Sequence, residues 1–130
     1  MPTILLDSTV IFDALNNKRG RPEYLSALLA EGNLLACCPV NITEVYAGLR
    51  EPESQTTSRF LKSLEFFSVN EDTARLAGLL KRDWMRKGRT LSYSDVTIAA
   101  VAIENNLPLL TDNRKDFPMP EIELYPLPGA

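Results

Sequence analysis

Histidine is absent from this sequence, and that one absence removes a large part of enzyme chemistry. No Ser-His-Asp triad, Cys-His pair, histidine-rich zinc site or two-histidine ribonuclease mechanism is open to it. Cysteine is scarce. Cys37 and Cys38 are the only two, adjacent within Leu34-Leu35-Ala36-Cys37-Cys38, and they read as buried thiols in a strand rather than a disulfide framework or a ligand pair. Nowhere do about 18 apolar residues run uninterrupted, and Met1-Pro2-Thr3-Ile4 shows no charged region leading into a long apolar segment. The expectation is a cytoplasmic protein that makes no membrane contact. Positive charge is also short, with 14 Lys and Arg against 17 Asp and Glu. Any catalysis therefore has to draw on carboxylates, a metal or lysine.

What is present is ordinary for a folded domain. With 45% apolar and 24% charged residues, the 130 residues need neither disorder nor a fibrous repeat to explain them. A chain of this length buries roughly two-thirds of its unfolded surface in one core, so a single domain over 1–130 is expected. Short apolar runs alternate with helical patterns, the signature of βαβ units and a mainly parallel α/β sheet. The predicted strands are Thr3 to Leu6, Leu34 to Cys38, Phe66 to Val69, Pro108 to Thr111, and a weaker Glu123 to Leu127, where Pro126 marks an edge. Predicted helices cover Val10 to Leu15, Pro22 to Ala30, Asn41 to about Leu49, and a segment carrying Phe60, Leu61 and Leu64. Two more follow. One is an amphipathic helix from the capping residue Asn70 to Gly88; the other runs from Ser94 to about Asn105, apolar on almost all sides and hence central.

In an open parallel sheet, sites form beyond the carboxyl ends of the strands and at the helix starts beside them. Asp7 follows the first strand, Glu44 lies in the first turn after the second, Asp95 opens the apolar helix, and Asp112 follows the fourth strand with Asp116 close behind. Each has a structural explanation taken singly: Asp7 as a helix cap, Asn41 and Glu44 as a capping box, Asp95 as a favourable charge at a helix N-terminus, Asp112-Asn113 as a turn. Together they converge on one sheet edge. Carboxylates gathered there repel one another unless a cation shares them, and hard oxygen donors select Mg²⁺ or Mn²⁺. Phosphodiester hydrolysis suits such a site and requires no histidine.

At these residues the sequence resembles the PIN-domain family, and within it the VapC-type toxins of prokaryotic toxin–antitoxin pairs. The resemblance is carried by Ile4-Leu5-Leu6-Asp7-Ser8-Thr9-Val10, Pro39-Val40-Asn41-Ile42-Thr43-Glu44-Val45, Leu91-Ser92-Tyr93-Ser94-Asp95-Val96-Thr97-Ile98-Ala99-Ala100 and Leu109-Leu110-Thr111-Asp112-Asn113-Arg114-Lys115-Asp116-Phe117. It implies a three-layer α/β/α fold, a five-stranded parallel sheet of order 3-2-1-4-5, and an endoribonuclease dependent on Mg²⁺, with Mn²⁺ as a substitute. By motif position Asp7, Glu44 and Asp95 match the family's acids. The fourth position falls on Asp112 or Asn113, Asp116 matches the acid before the family's Phe, and Ser8 and Thr111 match small hydroxyl residues beside the acids. On this reading Asp7 and Asp95 hold a first ion and Glu44 orients and deprotonates water. Asn113 or Asp112, with Asp116, supports a second ion or the substrate phosphate.

Partners implied by the same resemblance are an RNA substrate, a second copy of the chain, and a VapB-type antitoxin whose basic side chain enters the acidic groove. A basic rim of Lys81, Arg82, Arg86, Lys87 and Arg89 precedes Asp95, and Arg19 and Arg21 offer a second phosphate grip. The helix pair from Asn41 to Leu64, with Tyr46, Phe60 and Phe67, is the expected antitoxin contact. Two other magnesium folds fit poorly. A response-regulator receiver needs an acceptor Asp after the third strand, where Phe66-Phe67-Ser68-Val69-Asn70 has none, and a haloacid-dehalogenase-type phosphatase needs an Asp where Thr9 stands. The rival of a different class is a catalytically silent PIN-like module that binds RNA or protein.

Overall fold

A computed structural model describes residues 2–128. The sheet is built from β1 (Thr3–Leu6), β2 (Leu34–Cys37), β3 (Glu65–Phe66), β4 (Leu109–Leu110) and β5 (Leu124–Tyr125). Every pairing is parallel and the order is β3-β2-β1-β4-β5, as the resemblance implied. Around it lie α1 (Ser8–Leu15), α2 (Arg21–Ala30), α3 (Pro39–Ala47), α4 (Ser54–Lys62), α5 (Glu71–Arg86) and α6 (Tyr93–Glu104).

Central parallel strands are covered on both faces and so carry unbroken apolar runs. Their period of two then sorts the side chains into two cores. Ile4, Leu6, Leu35, Cys37 and Leu110 pack with Val10, Ile11, Leu25, Leu28, Val45 and Leu61 from α1 to α4. Leu5, Ala36, Cys38 and Leu109 pack with Ala77 and Leu80 of α5 and the apolar residues of α6. The result is the three-layer sandwich. Cys37 and Cys38 fall in opposite cores as free buried thiols, and burial pushes the Cys37 thiol up to about 11, so both serve as packing groups.

The boundaries move where caps decide them. Helix α1 begins at Ser8 because Asp7 caps it, and α6 begins at Tyr93 because Ser92 does. Helix α3 starts at Pro39 rather than Asn41: proline suits a first helical position, and Asn41 sits three residues past Cys38 with its Oδ1 accepting the Cys38 N–H at 2.8 Å. The expected box between Asn41 and Glu44 is thus replaced by one between Cys38 and Asn41, which releases the Glu44 side chain. Strand β3 is shorter than its apolar run and its two residues are exposed, since an edge strand has one neighbour and little to bury. Helix α5 ends as expected before Gly88, whose φ of 88° is a left-handed conformation that favours glycine.

Candidate active site

Strand β1 delivers Asp7 to the carboxyl edge of the sheet, where its side chain does two jobs. Oδ1 accepts the Ser8 N–H at 2.8 Å, capping α1, while Oδ2 accepts the Thr111 hydroxyl at 2.7 Å and the Thr9 hydroxyl at 3.3 Å. Thr111 stands at the end of β4, so the bond ties the two central strands at the edge, and its Oγ1 accepts the Asn113 N–H at 2.9 Å. Asp7 is only 4% exposed. Burial pushes its carboxyl above the usual range and the Glu44 carboxylate adds to the effect, against the three donors.

Glu44 reaches the same corner from α3. Its Oε1 accepts the Ser8 hydroxyl at 2.6 Å, and Ser8 Oγ in turn accepts an amide hydrogen of Asn41 at 2.9 Å. Fully buried Asn41 therefore bridges the start of α3 to the start of α1 and sets the Ser8–Glu44 contact. Sequence reasoning treated Asn41 as a cap alone. The available signal was a polar amide between the apolar Val40 and Ile42, three residues before an acid.

Asp95 enters from the opposite face of the sheet, in the first turn of α6, with its N–H donating to the Ser92 hydroxyl at 3.0 Å. Its carboxyl is pushed up to about 6, first by burial and then by the negative charges of Asp7, Asp116 and Glu44, with Ser92 hydrogen bonding opposing them. Asp116 comes from the short turn Arg114–Asp116 after β4. Four carboxylates from four elements thus feel one another. Among the described residues none of the four is paired with a basic side chain.

Such a donor set, all oxygen and short of positive charge, suits a hard divalent cation. As placed, no three Asp, Glu or Cys side chains among the described residues stand close enough to enclose one ion. Asp7 and Asp95 are the most suitable pair, being the two whose charge the fold burdens most.

Asp112 is occupied elsewhere. Its Oδ1 accepts Arg21 Nη2 at 2.8 Å and its Oδ2 accepts Arg19 Nη1 at 2.9 Å, and it is absent from the charges acting on Asp95. Arg21 is 1% exposed and also donates to the Arg19 and Pro128 carbonyls. A phosphate grip by Arg21 is therefore ruled out by burial. Asn113 is partly buried and Thr111 fully so, next to Asp7.

The basic rim is divided among several tasks. Lys81 donates to the Leu91 carbonyl and lies 4.7 Å from the Tyr93 ring centre, Arg82 pairs with Asp83, and Lys87 lies 4.4 Å from the Trp84 ring centre. Arg89 donates to the Lys115 carbonyl, joining the loop before α6 to the turn that carries Asp116. Arg86, Lys87 and Arg89 remain exposed. Of the aromatics expected to meet a partner, Tyr46 is exposed beside a cleft of about 300 Å³ lined by Ile42, Leu61, Leu64 and Phe66, whereas Phe60 and Phe67 are partly buried against the two cores. No helix among the described residues is long and apolar enough to cross a membrane.

Comparison with known proteins agrees with this geometry. The PIN domain family matches residues 4–119. Ribonuclease VapC19 of Mycobacterium tuberculosis is 33% identical over 115 residues, covering 88% of this chain and 92% of the relative; Ribonuclease VapC10 of the same organism is 32% identical, covering 89% and 86%. The fold recurs in a crystal structure of VapBC2 from Rickettsia felis bound to a promoter DNA fragment, with a TM-score of 0.80 at 24% identity over 95% of this chain and 97% of that one. A toxin–antitoxin complex from Klebsiella pneumoniae superposes with a TM-score of 0.75 at 25% identity, covering 92% and 94%. An acid corner on a 3-2-1-4-5 parallel sheet, a match over nearly the whole chain and relatives at one-third identity lead to one conclusion: the chain belongs to the PIN-domain family, with the VapC ribonucleases among its relatives.

Proposed function

We propose that this protein is a Mg²⁺-dependent endoribonuclease, the toxin of a VapBC-type toxin–antitoxin pair, acting in the cytoplasm. The observation that carries the reading is the convergence of Asp7, Glu44, Asp95 and Asp116 without a basic partner; burial first, and the neighbouring acids after it, raise Asp95 to about 6, which makes cation binding favourable. Asp7 and Asp95 would hold the ion, which would supply charge neutralisation at the scissile phosphate and a more acidic attacking water. Glu44 accepts the water's proton at Oε2, because Oε1 is engaged by Ser8. Asn113 would orient the phosphate and Asp116 would support the ion through water, Ser8 and Thr111 keep the acids in place, and Asp112 belongs to the arginine network instead. Water oxygen bonds to phosphorus as the P–O3′ bond breaks, leaving a 5′-phosphate and a 3′-hydroxyl that takes its proton from solvent.

Arg86, Lys87 and Arg89 form the local positive surface that a chain of net charge −3 needs to hold RNA. The relatives are named ribonucleases and the structural neighbours are VapBC or toxin–antitoxin complexes, which supports a VapB-type antitoxin as partner; a second copy of the chain is proposed from the family resemblance alone. The exposed Tyr46 cleft on the α3–α4 face is the proposed antitoxin contact.

The test is cleavage of a cellular RNA pool by purified protein in Mg²⁺ or EDTA, beside Asp7→Asn and Asp95→Asn. The expected result is metal-dependent cutting lost in both variants, with 5′-phosphate ends. A 2′,3′-cyclic phosphate would sink the mechanism, and absence of cutting by a folded wild type would favour a silent binding module.

A further inference from the structure

Asn41 is fully buried on α3, three residues before Glu44, and its surroundings decide how its amide lies. The Cys38 N–H can only donate, so the Asn41 oxygen faces it at 2.8 Å and the NH₂ group turns to Ser8, donating to Oγ at 2.9 Å. A hydroxyl carries one hydrogen. With an amide hydrogen already pointing at its oxygen, Ser8 directs its own hydrogen to the neighbouring carboxylate, donating to Glu44 Oε1 at 2.6 Å. The three bonds therefore run in one direction, from the backbone at the start of α3 through Asn41 and Ser8 to Glu44. Reversing any one of them would set two hydrogens or two lone pairs face to face beside two buried side chains. Oε1 is thereby fixed as an acceptor, and Oε2 is the oxygen of Glu44 left open to a further proton. Ser8, held in the same chain, has no hydrogen left for a substrate phosphate.

We propose that Asn41 is a positioning residue for phosphodiester cleavage: by fixing the direction of the Ser8 hydroxyl it holds Glu44 at Oε1 and keeps Oε2 free for the proton of the attacking water. This role rests on the nuclease reading and deepens it. It differs from bracing α3 alone, because the amide acts on Glu44 only through Ser8.

The experiment is single-turnover cleavage of total cellular RNA in Mg²⁺, followed at its fastest-cut site over a range of enzyme concentrations to give a maximal rate and a half-saturating concentration. Asn41→Leu keeps the size of the side chain and removes both of its hydrogen bonds; Ser8→Ala cuts the chain one link further on. Each lowers the maximal rate about tenfold or more and leaves the half-saturating concentration within about twofold. The double variant is no slower than the slower single within about threefold, since both changes cut one chain. The lost bond to the Cys38 N–H lowers the melting temperature in both backgrounds alike and so cancels from the comparison. Losses that multiply, or a change confined to the half-saturating concentration, overturn the proposal. A second measurement does not depend on Asn41→Leu folding: in ¹⁵N spectra of the whole protein, Ser8→Ala shifts the Asn41 side-chain NH₂ resonances and speeds their exchange with solvent, and unchanged resonances overturn the proposal. If the wild type cuts no RNA in Mg²⁺, the nuclease reading fails and the role of Asn41 with it. If the wild type cuts and the two losses multiply, the role of Asn41 alone fails.

Discussion

Asp95 concentrates the tension in this site. A carboxyl raised from 3.8 to about 6 holds its proton more tightly folded than unfolded, so without metal its contribution to stability falls as pH rises through that window and stays lost above it. This is the reverse of an ion-paired acid. Asp95→Asn removes the buried charge while keeping the shape. In EDTA at pH 7.5 the variant should therefore melt above the wild type, and the gap should close towards pH 4, as parallel thermal scans would reveal. On the proposed mechanism, in which Asp95 holds the cation, the same substitution should lower RNA cleavage at least about a hundredfold. A variant less stable at pH 7.5 would contradict the assigned environment. Asp7, Glu44 and Asp95 were legible in the sequence as acids at strand ends and helix starts. Asn41 was not, since only the packing of α1 against α3 reveals that it holds Ser8.

At the scale of elements, two devices fix the acid corner. Ser92 caps α6 and sets the turn that presents Asp95, so Ser92→Ala should cost about 1 kcal/mol, readable as a melting shift of a few degrees, and should also slow cleavage. The second is the buried Arg21–Asp112 pair, which locks the start of α2 to the end of β4. Removing one partner strands the other. Asp112→Asn should therefore lose about 3 kcal/mol or more in denaturant unfolding, while its folded fraction keeps Mg²⁺-dependent cleavage. Cleavage lost with stability intact would instead make Asp112 a cation ligand. The central strands were readable because burial on both faces leaves them apolar apart from Thr3 at the start of β1. The edge strands and helix starts were less so: β3 buries little, and α3 begins two residues early because Pro39 and the Cys38–Asn41 bond govern its first turn.

For the whole molecule, net charge and cation linkage set the behaviour. With −3 overall and a basic rim of a few side chains, RNA binding should depend only weakly on salt. A slope of about −1 to −2 in log affinity against log salt concentration corresponds to two or three phosphate contacts on a single strand, to be measured by titration at several ionic strengths. A slope several times steeper would require a basic surface this fold lacks. Mg²⁺ should raise the melting temperature more at pH 7.5 than at pH 5.5, because at the lower pH Asp95 is largely protonated and the ion competes with that proton.

The sequence by itself determined the chemistry available and the layering. It contains no imidazole, its acids follow apolar runs, and the period of those runs dictates a parallel sheet covered on both faces. Only the tertiary structure decided which acids share a field and which are neutralised. Asp112 and Asp116 look alike along the chain, four residues apart, yet Asp112 is paired with Arg21 from the other side of the fold while Asp116 acts on Asp95. That difference is one of distance in space. Coulomb interaction and desolvation depend on which elements the fold brings together, and the order of residues along the chain does not contain it.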